Sequence, residues 1–453
     1  MKTAAAAIVC SYILSNLAGV AEPLSDAERY WPQWRGPHAT GVAPNGNPPV
    51  EWSEAKNVRW KVEIPGRGNA TPIVWGDRVY IQTAIQTDQR VAPEQATDSE
   101  PQARQGRQRR AHWGSAPKPT NIHKFCVMAL DRRDGKVLWE HTVCEALPHE
   151  GGHQNSTQAS NSPLTDGEHF FAYFGSRGLY CFDMQGNLQW KKDFGDMRTR
   201  NSFGEGSSPV LHGDTIVVNW DHEGDSFIIA LNKNTGEELW KTDRDEATSW
   251  STPLVIEHNG KPQVVTSATR FIRSYDLASG ELIWQCGGMT MNVIPSPVCG
   301  HGMVYALSGF RGNSLLAIRV AGAEGDITGS EAVAWKHGKG TPYVPSPLLY
   351  DDTLYFLASN GAVLSCFDAR TGKPHCTRQR LEGITDVFAS PVGARDRVYV
   401  AGRNGTTAVI KRGSEFEVLA MNSLDEGFDA SPAIVDNEIY LRGRKHLYCI
   451  ARD

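Results

Sequence analysis

Short apolar runs recur along the chain, each opened by a turn residue: Arg78-Val-Tyr-Ile after Asp77, Thr215-Ile-Val-Val after Asp214, Thr353-Leu-Tyr-Phe after Asp352 and Glu438-Ile-Tyr-Leu after Asn437. β-Branched and aromatic residues in runs this short, bounded by Gly, Asp or Asn, predict β-strands. A small residue, a Pro and another apolar run precede the strands in eight segments: ATPIV, NSPLT, SSPVL, STPLV, PSPVC, PSPLL, ASPVG and ASPAI. Their prolines, from Pro72 through Pro163, Pro209, Pro253, Pro297, Pro347 and Pro391 to Pro432, are spaced 91, 46, 44, 44, 50, 44 and 41 residues apart. A period of about 45 residues with one double-length gap predicts either propeller blades or a helical repeat. The strand pattern selects blades.

A third strand ends in Asp or Asn and turns through Gly into a fourth that carries Trp, as in ALDRRDGKVLW, ALNKNTGEELW and SYDLASGELIW. The spacing from that polar residue to the Trp is eight for Asp131 to Trp139, Asn232 to Trp240 and Asp276 to Trp284, and seven for Asp183 to Trp190. In the fifth unit an insertion stretches the hairpin before Trp335; in the sixth Cys376 follows Asp368 by eight, and in the seventh Leu419 follows Lys411 by eight. Each ring buries about 150–250 Å² between neighbouring blades, which makes these Trp structural. The eighth unit stops after its third strand, His446 to Ala451, and the strand around Trp60 at the other end of the chain has the pattern to complete it. The expected fold is all-β: an eight-bladed β-propeller of four-stranded antiparallel blades, the last closed by an N-terminal strand.

The Ala-x-Asp-x-x-[Thr/Ser/Asp]-Gly-[Lys/Glu]-x-x-Trp hairpin resembles the tryptophan-docking repeat of the pyrroloquinoline-quinone (PQQ)-like propellers, over a match from about Trp31 to Asp453. That family includes the PQQ dehydrogenases and BamB-type outer-membrane assembly propellers. The opening Trp31-Pro-Gln-Trp-Arg-Gly-Pro resembles the start of a group of exported PQQ-like propellers.

Residues 1–21 carry one Lys, an apolar stretch and a small-x-small ending at Ala21, which reads as a signal peptide; residues 22–453 form the propeller as one domain. A periplasmic or otherwise exported location follows, and Val9 ahead of Cys10 is not the small residue a lipoprotein anchor favours. No later apolar run has the length of a spanning helix. The net charge of -5 argues against nucleic acid as a partner. Cys181, Cys366 and Cys449 occupy one position in three repeats and read as buried free thiols, while Cys286 and Cys299 are candidates for a bridge. Residues 85–121 fill the double gap as a flexible insertion in the first blade, with a basic run from Arg104 to Arg110.

Candidate binding residues lie in the loops at one face. Arg177, Arg270, Arg311, Arg403, Arg442 and Arg444 follow second strands and would converge on the channel mouth for an anionic ligand or partner, unless acids such as Glu205, Asp245, Asp386 or Asp429 pair with them. Aromatics Phe203, Trp250, Tyr343, Phe388 and Phe428 precede the repeat prolines and offer either stacking or packing. Asp221, His222, Glu223 and Asp225 form a candidate cation site, with a solvated or Arg-paired turn as the other reading.

Three function classes follow. An exported, non-catalytic binding or protein-interaction scaffold in the cell envelope takes first place: a monomer whose channel face meets an envelope protein or a small anionic ligand, with no cofactor expected. A PQQ-dependent quinoprotein dehydrogenase is the alternative. For it the resemblance implies calcium, a catalytic Asp and adjacent cysteines, and the chain has no Cys-Cys pair. The second alternative is a metal-dependent hydrolase built on Asp221, His222 and Glu223.

Overall fold

In the computed structural model the described residues are 26–91 and 116–452. The expected leader and the basic run from Arg104 to Arg110 lie outside them. The strands form eight antiparallel sheets arranged as a propeller. Seven blades are continuous in sequence, the first built from Ile73–Trp75, Arg78–Arg90, Asn121–Asp131 and Val137–Ala146. In the eighth, Ala433–Val435, Glu438–Arg442 and His446–Ala451 are joined by Val58–Glu63, with Trp60 opposite Cys449. A two-residue strand, Gly325–Asp326, from the fifth-blade insertion adds parallel to the outer strand of the fourth. Among the described residues no helix is long and apolar enough to cross a membrane.

Each outer-strand Trp sits opposite a small residue on the third strand, as Trp139 does opposite Ala129 and Trp240 opposite Ala230. The rings of Trp60, Trp139, Trp190, Trp240 and Trp335 lean onto the next blade's hairpin glycine. A Cβ on Gly135, Gly236, Gly280 or Gly372 would come within 3.0 Å of Trp60, Trp190, Trp240 or Trp335 respectively. These glycines also have φ of +71 to +74, so backbone conformation and ring packing both demand the missing side chain. The ring nitrogens of Trp60, Trp190, Trp240 and Trp335 donate to carbonyl oxygens of the following blade at 2.8–3.0 Å. Trp60 on Gly135 therefore makes between blades eight and one the contact that Trp190, Trp240 and Trp335 make at their seams.

Three expectations need correction. Cys366 is not a free thiol: it is bridged to Cys376, which stands opposite it at the position other blades give to Trp. Cys181, Cys286, Cys299 and Cys449 are unbridged. In the seventh blade the docking position belongs to Ala420, opposite Val409, while Leu419 is exposed, because the hairpin is one residue longer. The first-blade insertion is shorter than 85–121: Ile85 pairs with Lys124, Gln86 with His123 and Arg90 with Asn121, so the two middle strands extend beyond the ring.

Candidate functional site

The residue before each repeat proline is Thr or Ser, and the ring shows why. The backbone N–H of Thr71 donates to Ser162 Oγ, and the pattern repeats from blade to blade through Ser208, Thr252, Ser296, Ser346 and Ser390 to Ser431, at 2.8–3.0 Å in every link. A hydroxyl belt thus satisfies buried amides that the innermost strands leave unpaired. It is open at one seam, between blades eight and one, where Thr71 Oγ1 is buried without a partner.

Below the belt the channel is closed by the chain's own N-terminal segment. Trp31 exchanges backbone hydrogen bonds with Val74 of blade one, and Pro32 O accepts from Thr165 N of blade two. Gln33, Trp34 and Arg35 border one small cavity with Pro209, Pro253 and Pro297 of blades three to five. Arg35 donates from Nη2 to Pro347 O at 2.5 Å and from Nη1 to Pro391 O at 2.6 Å, reaching blades six and seven. Ala43 N donates to Gly393 O, and Asn47 N to Asp436 O of blade eight. The segment touches all eight blades and leaves the channel blind. Burial without a carboxylate partner pushes the Arg35 guanidinium down to about 9.

Above the belt opens a funnel of about 510 Å³. Trp34 of the plug reaches it from below, with belt hydroxyls around that level. Phe203, Trp250, Phe310, Tyr343 and Phe388 supply aromatic wall, Phe310 and Tyr343 stacked at 4.8 Å between centroids. Trp250 Nε1 donates to Gly204 O at 2.7 Å, which fixes that indole. Asn69, Asn155, Asn360, His153, Glu205 and Asp429 add polar atoms. Of the expected aromatics, Phe428 alone is elsewhere, fully buried against Tyr448.

None of the six expected arginines is among the residues lining the funnel. Arg177 pairs with Asp196 and Arg270 with Asp245. Arg403 pairs with Asp429 at 2.5 Å, donates to Asn155 Oδ1 at 2.9 Å and lies 4.1 Å over the Phe388 ring. Arg311 lies 5.4 Å from the Phe310 centroid. Both back the aromatic wall from outside. Arg444 is exposed. Arg442 is buried, its three guanidinium nitrogens without hydrogen-bond partners, and burial lowers it to about 10. Arg177, Arg270 and Arg403 are held by local acids and Arg311 by a ring, and the six do not line the funnel together.

The candidate cation site is dispersed as well. Asp221 is buried under Arg244, with Nε to Oδ1 at 2.7 Å and Nη2 to Oδ2 at 3.0 Å, and it also accepts from Ser249 Oγ and Asn219 Nδ2. His222 Nδ1 accepts from Arg198 N, its Nε2 meets Asp225 O, and Glu223 Oε1 accepts from Thr248 Oγ1. Asp221 and His222 are engaged by protein partners, and the four do not bring their ligand atoms together as one coordination sphere. The group among the described residues with ligand atoms close enough for a metal is Asp166, Glu168 and His169, and there Lys233 already contacts Asp166 at 2.9 Å.

Glu205 is largely buried. It accepts from Ser176 N at 2.8 Å and from Ser176 Oγ at 2.5 Å, and lies 3.5 Å from His149 Nε2. Burial raises its pKa, His149 and the Ser176 bonds oppose this, and nearby Glu150 adds to it.

PQQ carries three carboxylates and would require cations. The described residues lining the funnel include two carboxylates and no Lys or Arg, so the site does not fit that group.

The model of the family described as outer membrane protein assembly factor BamB matches residues 47–219, 183–385 and 224–453. No curated protein sequence matches the chain. Among solved structures, the chain is similar to BamB from Moraxella catarrhalis at 11% identity and TM-score 0.50, over 81% of this chain and 98% of that one. It is similar to the computationally designed Ika8 protein at 12% and 0.51, over 76% and 98%. It is also similar to the quinohemoprotein alcohol dehydrogenase ADHIIG from Pseudomonas putida HK5 at 10% and 0.56, over 93% and 80%. At such identities the likeness is one of fold.

Proposed function

We proceed from the premise that the chain belongs to the family of the outer membrane protein assembly factor BamB, and propose that it is an exported, non-catalytic binding propeller of the cell envelope, whose recognition site is the blind funnel. The observation that carries this reading is the pairing of a plugged floor with an aromatic mouth: Arg35 anchors the plug to blades six and seven, and Trp250, Tyr343 and Phe388 face the open end. A rigid ring with one open concavity, apolar walls and a few convergent polar groups has the build of a binding site. The engagement of Asp221, His222 and Glu223 by protein partners weighs against the hydrolase reading. The quinoprotein reading stands second, and the absence of Lys and Arg from the described funnel lining weighs against it.

The test immobilises the full chain and captures ligands or partners from envelope extract, with Trp250→Ala/Phe388→Ala beside it. The expected result is capture by the wild type and loss in the double variant at unchanged Tm. Identical capture by both would move recognition away from the funnel.

A further inference from the structure

The chemistry left facing the void narrows the ligand class. Asp429 is neutralised by Arg403, and Glu205 is occupied by Ser176 and His149. No Lys or Arg is among the described lining residues, and His153 is the one lining side chain there that can carry a positive charge. Apart from His153, its unengaged polar groups are amides and hydroxyls. Asn69 uses its amide nitrogen on Asn155 O, leaving its oxygen. Asn155 uses its oxygen on Arg403 and Asn360 its oxygen on Val344 N, each leaving an NH₂. The belt hydroxyls of Ser162, Ser208, Thr252, Ser390 and Ser431 accept from backbone N–H groups, so their own O–H hydrogens remain to donate. Donors, acceptors and aromatic rings therefore line a volume of about 510 Å³ together.

We propose that the funnel binds the end of a neutral saccharide chain, an inference that rests on the funnel being the binding site. A pyranose presents what this wall complements: C–H faces for Trp34, Trp250 and the Phe310–Tyr343 stack, and a rim of hydroxyls that both donate and accept. A polyanionic ligand finds no Lys or Arg here. A peptide that docks by strand addition needs a free strand edge, and the wall's amides at belt level are taken by hydroxyls. The saccharide must also enter by an end, because the segment carrying Trp34 and Arg35 bars threading.

Isothermal titration of the purified full chain with neutral gluco-, xylo-, manno- and N-acetylglucosamine tetraoses, a uronic-acid tetraose and a mixed peptide pool tests this. At least one neutral tetraose is expected to bind at one site and to shift Trp fluorescence, with affinity reduced about tenfold by Trp250→Ala and less by Trp250→Phe. Arg270→Ala, outside the funnel, is expected to leave the affinity unchanged. Both Trp250 variants are checked for wild-type Tm, and Asn360→Ala, which leaves every ring in place, serves if Trp250→Ala does not fold. No response from any neutral tetraose, or a preference for the uronic acid, would overturn the saccharide class. Peptide binding lost in Trp250→Ala would overturn it while sparing the funnel. Tetraose binding indifferent to Trp250→Ala and Asn360→Ala would refute the funnel itself.

Discussion

Arg35 and Pro391, 356 positions apart, are joined by a hydrogen bond of 2.6 Å from the guanidinium to the proline carbonyl. With the bond to Pro347 O and a third to Thr40 O at 3.1 Å, it ties the N-terminal segment to the innermost strands. Arg35→Ala leaves three carbonyl oxygens without this donor, and unfolding in urea is expected to show a loss of about 2–4 kcal/mol. Arg35→Lys is expected to lose nearly as much, because one ammonium does not reproduce the planar fork. Wild-type stability in both variants would mean that the plug is held by Trp31 and its backbone bonds alone.

The Asp221–Arg244 pair is fully buried, with side-chain exposures of 0% and 0%. Asp221→Asn strands the guanidinium and is expected to cost about 3–5 kcal/mol, whereas an Asp221→Leu/Arg244→Met double replacement is expected to restore much of that. Chemical denaturation of the singles and the double gives the coupling. A silent Asp221→Asn would show that this carboxylate is not held as a buried partner.

Arg442 presents the opposite case, a buried guanidinium with no hydrogen-bond partner. Its counterpart in blade one, Gln82, donates across the seam to Asn161 O and Tyr173 O at 2.6 and 2.7 Å. Arg442→Met is expected to stabilise the protein by about 1–3 kcal/mol, since an unpaired buried charge is removed. A drop in Tm would instead reveal a partner, such as an ordered water or ion, at the seam of blades eight and one.

The blade repeat, the Trp register and the strand around Trp60 could be read in the sequence, because each is a one-dimensional pattern: a period, a spacing, an alternation. Which reading of the arginines holds could not be decided from sequence, for a physical reason. Whether Arg177 or Arg403 is free depends on Asp196 and Asp429, which the fold brings up from loops 19 and 26 positions away. The Ser and Thr of the belt were visible as small residues before proline, but their hydroxyl bonds exist only once neighbouring blades stand side by side. Nothing in spacing alone indicates that Trp34 floors a cavity, since its role comes from a segment crossing the ring. Likewise Cys376 holds a Trp position, and only its register opposite Cys366 shows the bridge.

Glu205 sets a pH dependence with a definite sign. Its folded pKa is raised above the ordinary 4.5 by burial. The folded state therefore holds this proton more tightly than the unfolded state, so the stability linked to it is fully present below 4.5 and is lost as pH rises through the raised value. His149 and Glu150 face the same carboxylate and shape the curve. Tm of wild type relative to Glu205→Gln is expected to fall between acidic and neutral pH. A difference that is flat with pH, or of the opposite slope, would contradict the burial of this group.

Titration of the purified chain with PQQ, with and without calcium, is the measurement that bears most directly on a binding rather than a catalytic propeller. A funnel whose described lining has no Lys or Arg is expected to give no saturable quinone absorbance, no shift in Tm and no dye reduction with alcohols or aldoses. One equivalent of bound quinone accompanied by substrate-dependent dye reduction would make the protein a quinoprotein dehydrogenase instead.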